Sequence, residues 1–278
     1  MMQFTDSHCH LDFTEFSEQL PDLLYQCNVH NIHRIIVPAV NPEHWQRVLT
    51  LSKKENAYVK VSCALGIHPW FLILNNKAQT KQLDVVFQQE QLKQILARNS
   101  KDIIAIGECG IDVFKAKKST TTEQTFNDSL RLQQDFFAMQ LELAQQYDLP
   151  VIVHHCQSHP LILALLKQYP LNKGGVIHAF SGSYQQARDY IDLGFKLGIG
   201  GTITYDRAKK TINAIKRLPS SSLLLETDAP AMPIFGQQGM INSPINIAKI
   251  FQALVSIRDE SKEVLATQIE ENVNQLFF

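Results

Sequence analysis

Eight short apolar runs, each followed by a stretch of helical character, constrain this chain more than any other feature. They begin with a β-prone lead at residues 1–5 containing Met2, Phe4 and Thr5, and continue at residues 34–38, 58–66 and 103–107. The later four fall at residues 149–153, 175–177, 195–200 and 223–225. Most are rich in Ile, Val and Leu and too short for a core helix, as expected of strands buried on both faces. Between them the apolar period changes. Phe16, Leu20, Leu23, Leu24 and Cys27 predict a helix over residues 15–30, with Pro21 either in its first turns or marking a late start. Phe126, Leu130, Phe137, Leu141 and Ala144 recur at offsets of 4, 11, 15 and 18, one face of a long helix. Further helices are expected over residues 43–55, where Asn41-Pro42-Glu43 supplies a start signal, and over 81–99, 244–257 and 261–276. Strands alternating with helices make βαβ units and a parallel sheet. At 278 residues the chain suits a single (β/α)8 TIM barrel, for which about 250 is typical. No linker or composition break divides it, so residues 1–278 are expected to form one domain.

A parallel barrel collects its chemistry where the strands end. The first strand runs into Asp6-Ser7-His8-Cys9-His10-Leu11-Asp12. Side chains alternate along a strand, so His8 and His10 face one way and Cys9 the other, and paired imidazoles suit a divalent cation. Later strands end at His68, Glu108, His154-His155, His178 and Asp228. Taken singly, His68 before Pro69 reads as a turn residue, Glu108 as a helix cap and His178 as a core histidine. Together, metal-competent side chains at six strand ends read as one metal centre on a barrel rim.

The rest of the composition narrows the partners. A formal net charge of −1 supplies no global positive field for nucleic acid, so a phosphate-bearing substrate must be gripped locally. Five cysteines without a CxxC pair argue against a disulfide framework or zinc ribbon and for a reducing compartment. No apolar run has the length of a signal peptide or membrane span, and the cytoplasm is the expected location.

The strand-end motifs resemble those of the TatD-type metal-dependent deoxyribonucleases, within the amidohydrolase-like TIM barrels, in particular the YjjV-like branch. The matching stretches are the HxH segment, Gly66-Ile67-His68-Pro69, Gly107-Glu108-Cys109-Gly110-Ile111-Asp112 and Leu149-Pro150-Val151-Ile152-Val153-His154. They continue with Gly175-Val176-Ile177-His178-Ala179-Phe180-Ser181-Gly182-Ser183, Gly200-Gly201-Thr202-Ile203-Thr204-Tyr205 and Leu225-Glu226-Thr227-Asp228-Ala229-Pro230, in the family's order across nearly the whole chain.

The resemblance implies a hydrolase with two divalent ions, Mg²⁺, Mn²⁺ or Zn²⁺. His8, His10 and Asp228 would hold one, His154 and His178 the other, with Glu108 between them. A water activated between the ions would attack phosphorus, with Asp228 taking its proton. His68 would contact phosphate or leaving group, and Glu226 would orient the cluster. The implied substrate is DNA, trimmed 3′ to 5′ at single-stranded ends, with no partner protein. Lys115, Lys117 and Lys118, in an expected loop, are candidate backbone contacts, or simply a solvated charge run. Two positions depart from the family pattern: Cys156 stands where a basic residue is common, and Asp206 where a proline is common. His159 resembles a histidine of the YjjV-like branch and is a second candidate substrate contact, or a surface residue at a helix start. The alternatives are a small-molecule amidohydrolase or lactonase on the same barrel, and a binding protein without catalysis. Many of the former bridge two metals with a carboxylated lysine on the fourth strand, where this chain has Glu108.

Overall fold

The computed structural model describes residues 2–74 and 84–278. Its eight strands are β1 (Phe4–Asp6), β2 (Ile32–Pro38), β3 (Lys60–Leu65), β4 (Ile103–Asp112), β5 (Val151–Cys156), β6 (Gly175–Ile177), β7 (Phe195–Ile199) and β8 (Leu223–Leu225). They pair in parallel in sequence order. Beyond β1 and β8 the sheet curls shut. The Ser7 N–H donates to the Leu225 carbonyl, the Asp228 N–H to the His8 carbonyl and the His10 N–H to the Ala229 carbonyl, at 2.8–2.9 Å. The closure joins the first strand end to the last, and so brings the HxH segment beside Asp228.

Strand alternation sorts the core into two layers. Ile36, Ala64, Ala105, Ile152, Val176 and Leu224 share one buried cluster with Val273, Leu276 and Phe277 from the last turns of the C-terminal helix. Their neighbours Ile35, Val37, Leu65, Ile106, Val151, Val153, Ile177 and Leu225 pack in the other, among the helices. The helices are α1 (Leu20–Val29), α2 (Pro42–Lys53), α3 (Val85–Arg98), α4 (Val113–Ser119), α5 (Glu123–Tyr147), α6 (His159–Gln168), α7 (Tyr184–Ile191), α8 (Lys209–Arg217), α9 (Ile247–Ile257) and α10 (Lys262–Phe277).

Boundary differences have local causes. The helix expected over 15–30 starts late, at Leu20, with Pro21 in its first turn, and a separate 3-10 turn covers Thr14–Phe16. At α2, the Asn41 side chain accepts the His44 N–H and Pro42 occupies the first turn, which fixes the predicted start. Residues 81–83 of the expected third helix lie outside the described residues. The expected lysine loop is helical: Asp112 ends β4, accepts the Lys115 N–H and so starts α4. No described helix is long and apolar enough to cross a membrane.

Candidate metal centre

The strand ends converge on three overlapping groups of ligand atoms: His8, His10 and Glu108; His68, Glu108 and His154; and His8, His178 and Glu226. In the first, His8 and His10 present their Nε2 atoms 3.3 Å apart, while the Cys9 sulfur turns away toward the Ala229 carbonyl. Glu108 Oε2 lies 3.2 Å from His8 Nε2 and 3.6 Å from His10 Nε2, and Asp228 Oδ1 lies 3.6 and 3.5 Å from the same atoms. In the second, Glu108 Oε1 lies 2.9 Å from His154 Nδ1 and 3.2 Å from His68 Nε2, and those nitrogens are 3.1 Å apart.

These spacings fit divalent ions. Ligand atoms about 2.1 Å from an ion stand about 3.4 Å apart in a tetrahedron and about 3.0 Å apart in an octahedron. His8, His10 and Glu108, and separately His68, Glu108 and His154, can each gather around one cation. Glu108 belongs to both groups through different oxygens, the position expected of a bridging carboxylate.

The grouping differs from the expected one in two respects. His154 faces His68 rather than His178, whose ring centroid is 6.4 Å away. His178 instead stacks on His8 at 3.5 Å and directs Nε2 to 3.6 Å from Asp228 Oδ1 and 4.0 Å from Glu108 Oε1. His68 thus stands as a candidate ligand, closer to the carboxylate than His178.

Most of these rings have their other nitrogen occupied, which fixes which atom faces the centre. His10 Nδ1 is 3.2 Å from the Pro38 carbonyl, and His68 Nδ1 accepts the Trp70 N–H. His154 Nε2 meets Asp112 Oδ2 at 3.1 Å, and His178 Nδ1 lies 2.9 Å from Glu226 Oε1. Asp112 also accepts the Trp70 indole N–H at 2.6 Å, so one carboxylate sets both His154 and an aromatic residue of the cavity. Asp6, fully buried, accepts the Thr227 hydroxyl and the N–H groups of Thr227 and His8, tying the first strand end to the last. Burial pushes its carboxyl up to about 8.

The charges are strongly polarised. Burial opposes ionisation of Glu108, yet the surrounding histidines hold its carboxyl well below the usual range. Asp228 is lowered in the same way, against burial, by His178, His10 and His8. Burial disfavours the charged forms of His154 and His178. Hydrogen bonds to Asp112 and Glu108 nevertheless raise His154 to about 9, and the carboxylates of Glu226, Asp228 and Glu108 raise His178 to about 10. Burial depresses His8, and depresses His68 to about 4.

Glu226 depends on a glycine. A Cβ on Gly198 of β7 would stand 2.0 Å from Glu226 Oε2. Gly198→Ala is therefore expected to displace Glu226, free His178 and weaken divalent-metal affinity about 10- to 100-fold, read by metal titration at unchanged helix content.

The centre opens into a cavity of about 660 Å³ at the carboxyl ends of the strands. His10, His68, Glu108, His154, His178 and Asp228 line its floor, and Phe13, Val40, Trp70, Phe71 and Met232 are among its walls. His159 is not brought there: it sits at the start of α6, its Nε2 3.0 Å from Asp189 of α7, with Tyr190 edge-on. Cys156 pairs with Asp112 in the strand register and does not line the cavity; burial and Asp112 raise its thiol to about 11. Sequence reasoning missed a role for Asp112, although Glu108 and Asp112 lie four apart on one strand and so share a face. It also missed Arg47 and His44, which reach the rim from α2. An amphipathic helix pattern carries no signal for which polar residue overhangs a cavity.

Comparison with known proteins gives the chain its family. Residues 5–278 match the family described as TatD related DNase. The chain is 40% identical over 275 residues to the uncharacterized metal-dependent hydrolase YjjV of Escherichia coli, covering 99% of this chain and 98% of that protein. The crystal structure of that TatD homologue superposes with a TM-score of 0.86, covering 99% of this chain and 97% of the other. An uncharacterized metal-dependent hydrolase of Haemophilus influenzae is 36% identical over 279 residues, covering 99% of this chain and all of that protein. An uncharacterized amidohydrolase from Saccharomyces cerevisiae, 16% identical, shares the fold over the full length of both chains, with a TM-score of 0.83.

Proposed function

This chain belongs to the TatD family of metal-dependent hydrolases, and from that premise we propose that it cleaves phosphodiester bonds at single-stranded DNA ends, trimming from the 3′ terminus. The observation that carries the reading is Glu108, a buried carboxylate whose two oxygens each face a separate histidine group at the floor of an open cavity. Paired divalent ions supply, when bound, charge neutralisation of the phosphodiester and activation of water at neutral pH.

The chain's own groups do the rest. Asp228 is held ionised in the cavity floor, with a side chain 14% exposed against 2% for Glu108, so it is the carboxylate placed to accept the proton of attacking water. Asp112 and Glu226 fix the rings of His154 and His178. Trp70 and Phe71, half exposed at the cavity wall, offer faces on which unpaired bases can stack, whereas paired bases keep theirs covered.

With a net charge of −1, long duplex DNA is expected to bind weakly and single strands to be cleaved preferentially. Lys115 lies 4.7 Å over the Trp70 ring, and Lys117 and Lys118 follow in the last turn of α4. Neutralising all three is expected to raise KM and flatten its salt dependence; equal cleavage of duplex and single strand, with wild-type behaviour of the triple variant, would contradict both statements.

A second reading, a small-ester or lactone hydrolase, draws on the apolar side chains of the cavity wall, Phe13, Val40, Pro230 and Met232 among them. Against it, β4 delivers Glu108 where a carboxylated lysine would be needed in many such enzymes. One experiment separates the two: metal-loaded protein incubated with end-labelled single-stranded DNA, RNA, duplex DNA and a panel of small esters. Turnover confined to the esters would replace the nuclease reading.

A further inference from the structure

We propose that Arg47, anchored by the buried carboxylate of Asp12, binds a second anionic group of the substrate, one unit along the chain from the scissile bond. The inference rests on the phosphodiesterase reading above. Arg47 projects from α2 and is the one lysine or arginine among the described residues lining the cavity. Its Nη2 and Nε lie 3.0 and 3.3 Å from Asp12 Oδ2. The Asp12 side chain is fully buried, while that of Arg47 is 48% exposed. The carboxylate thus takes one edge of the guanidinium, and Nη1 makes no hydrogen bond among the described residues. A guanidinium held this way keeps donors directed outward and loses little freedom when an anion arrives.

Its place relative to the centre decides what it can touch. Phe13 stacks on the ligand His10 at 4.8 Å and meets His44 edge-on at 5.6 Å. His44 Nδ1 shares Asp12 Oδ2 with Arg47, at 2.6 Å. One aromatic ring, Phe13, therefore stands between the ligand His10 and the Asp12–His44–Arg47 group. Arg47 thus sits to the side of the ligand set on the same cavity, a place that suits the next anionic group of an extended chain. Glu15 shares the rim, so the selection is for an anion seated on Arg47 rather than for polyanions at large. The substrate so defined carries at least two phosphates; a lone diester leaves Arg47 unused.

The test compares a p-nitrophenyl ester of thymidine monophosphate, with a single diester, and trithymidylate. Metal-loaded wild type, Arg47→Ala, Arg47→Lys and Asp12→Asn are assayed on both, with melting temperature and metal content as folding controls. Arg47→Ala is expected to lose about ten- to a hundredfold more kcat/KM on trithymidylate than on the aryl ester, mainly through KM. Arg47→Lys should recover part of that loss, and Asp12→Asn should reproduce part of it. Equal losses on both substrates would overturn the proposal. Trithymidylate binding is also titrated calorimetrically in chelator, where turnover is suppressed, and should be about tenfold weaker for Arg47→Ala. Absent binding to wild type, or equal binding to both proteins, overturns the proposal whether or not either substrate is cleaved. Binding that depends on Arg47 without any cleavage would uphold it and remove the nuclease reading instead. If Arg47→Ala does not fold, Arg47→Gln takes its place in both measurements.

Discussion

Glu108→Ala is expected to abolish turnover, reduce bound metal and destabilise the fold together. The carboxylate is 2% exposed and lies 2.9–4.0 Å from ring nitrogens of His8, His10, His68, His154 and His178. Among the described residues no other carboxylate joins the His8–His10 pair to the His68–His154 pair, so its loss leaves each one oxygen short. Charge stabilisation by the ions is worth several kcal/mol in the transition state, so kcat/KM should fall by about a thousandfold or more. In the metal-free protein the same change removes one buried counter-charge of His154 and His178 while Asp112, Glu226 and Asp228 remain, which costs about 1–3 kcal/mol. Metal analysis, steady-state kinetics and thermal denaturation read the three effects. Unchanged metal content, or substantial turnover, would refute Glu108 as the bridge. Glu108→Gln keeps the shape and loses the charge, so it should retain more stability than alanine while losing as much activity.

Stripping the ions should have the second largest effect, and its pH dependence has a definite sign. Ions present at about a thousand times their dissociation constant stabilise the fold by about 4 kcal/mol. For a chain of this length that corresponds to roughly ten degrees of melting temperature, lost in chelator and restored by adding metal back. In the chelated protein His154 and His178 have pKa values raised to about 9 and 10. A raised base contributes stability that is complete below its unfolded value of about 6.5 and disappears as pH climbs through the folded value. His68, lowered to about 4, works in the opposite sense: its contribution is present above 6.5 and lost as pH falls toward 4. Chelated protein should therefore lose melting temperature from pH 7 toward 10, the buried Asp6 carboxyl, raised to about 8, adding to the loss. Metal binding deprotonates the imidazoles and strengthens over the same interval, so the gap between loaded and stripped protein should widen as pH rises. A gap that narrows from pH 7 to 9 would count against imidazole ligation.

Much of this is legible in the order of residues along the chain. Strand and helix periods differ, 2 against about 3.6, so the alternation of short Ile/Val/Leu runs with longer amphipathic stretches identified the barrel. The HxH spacing placed two imidazoles on one face because strand side chains alternate, and His8 Nε2 and His10 Nε2 do stand 3.3 Å apart. Strand ends were the places to look for His68, Glu108, His154, His178 and Asp228, and all of them reach one cavity.

Which of those residues share a neighbourhood was not legible. The order of residues along the chain says that His154 and His178 end adjacent strands, but not that His154 turns to His68 while His178 stacks on His8. That choice depends on ring rotations set by Asp112 and Glu226, through contacts spanning 42 and 48 residues of sequence. His159 shows the same limit from the other side: its resemblance to a histidine of the YjjV-like branch made it a candidate substrate contact, yet α6 packs it against α7 and Asp189. Arg47 gave no sign at all, because its role depends on α2 lying over the first strand end and on Asp12 being buried there. Local periodicity is a property of neighbouring residues and is written in the chain. Ring orientation, counter-charge and cavity walls are made by residues far apart in sequence, and only closure of the barrel brings them within a few ångströms of one another.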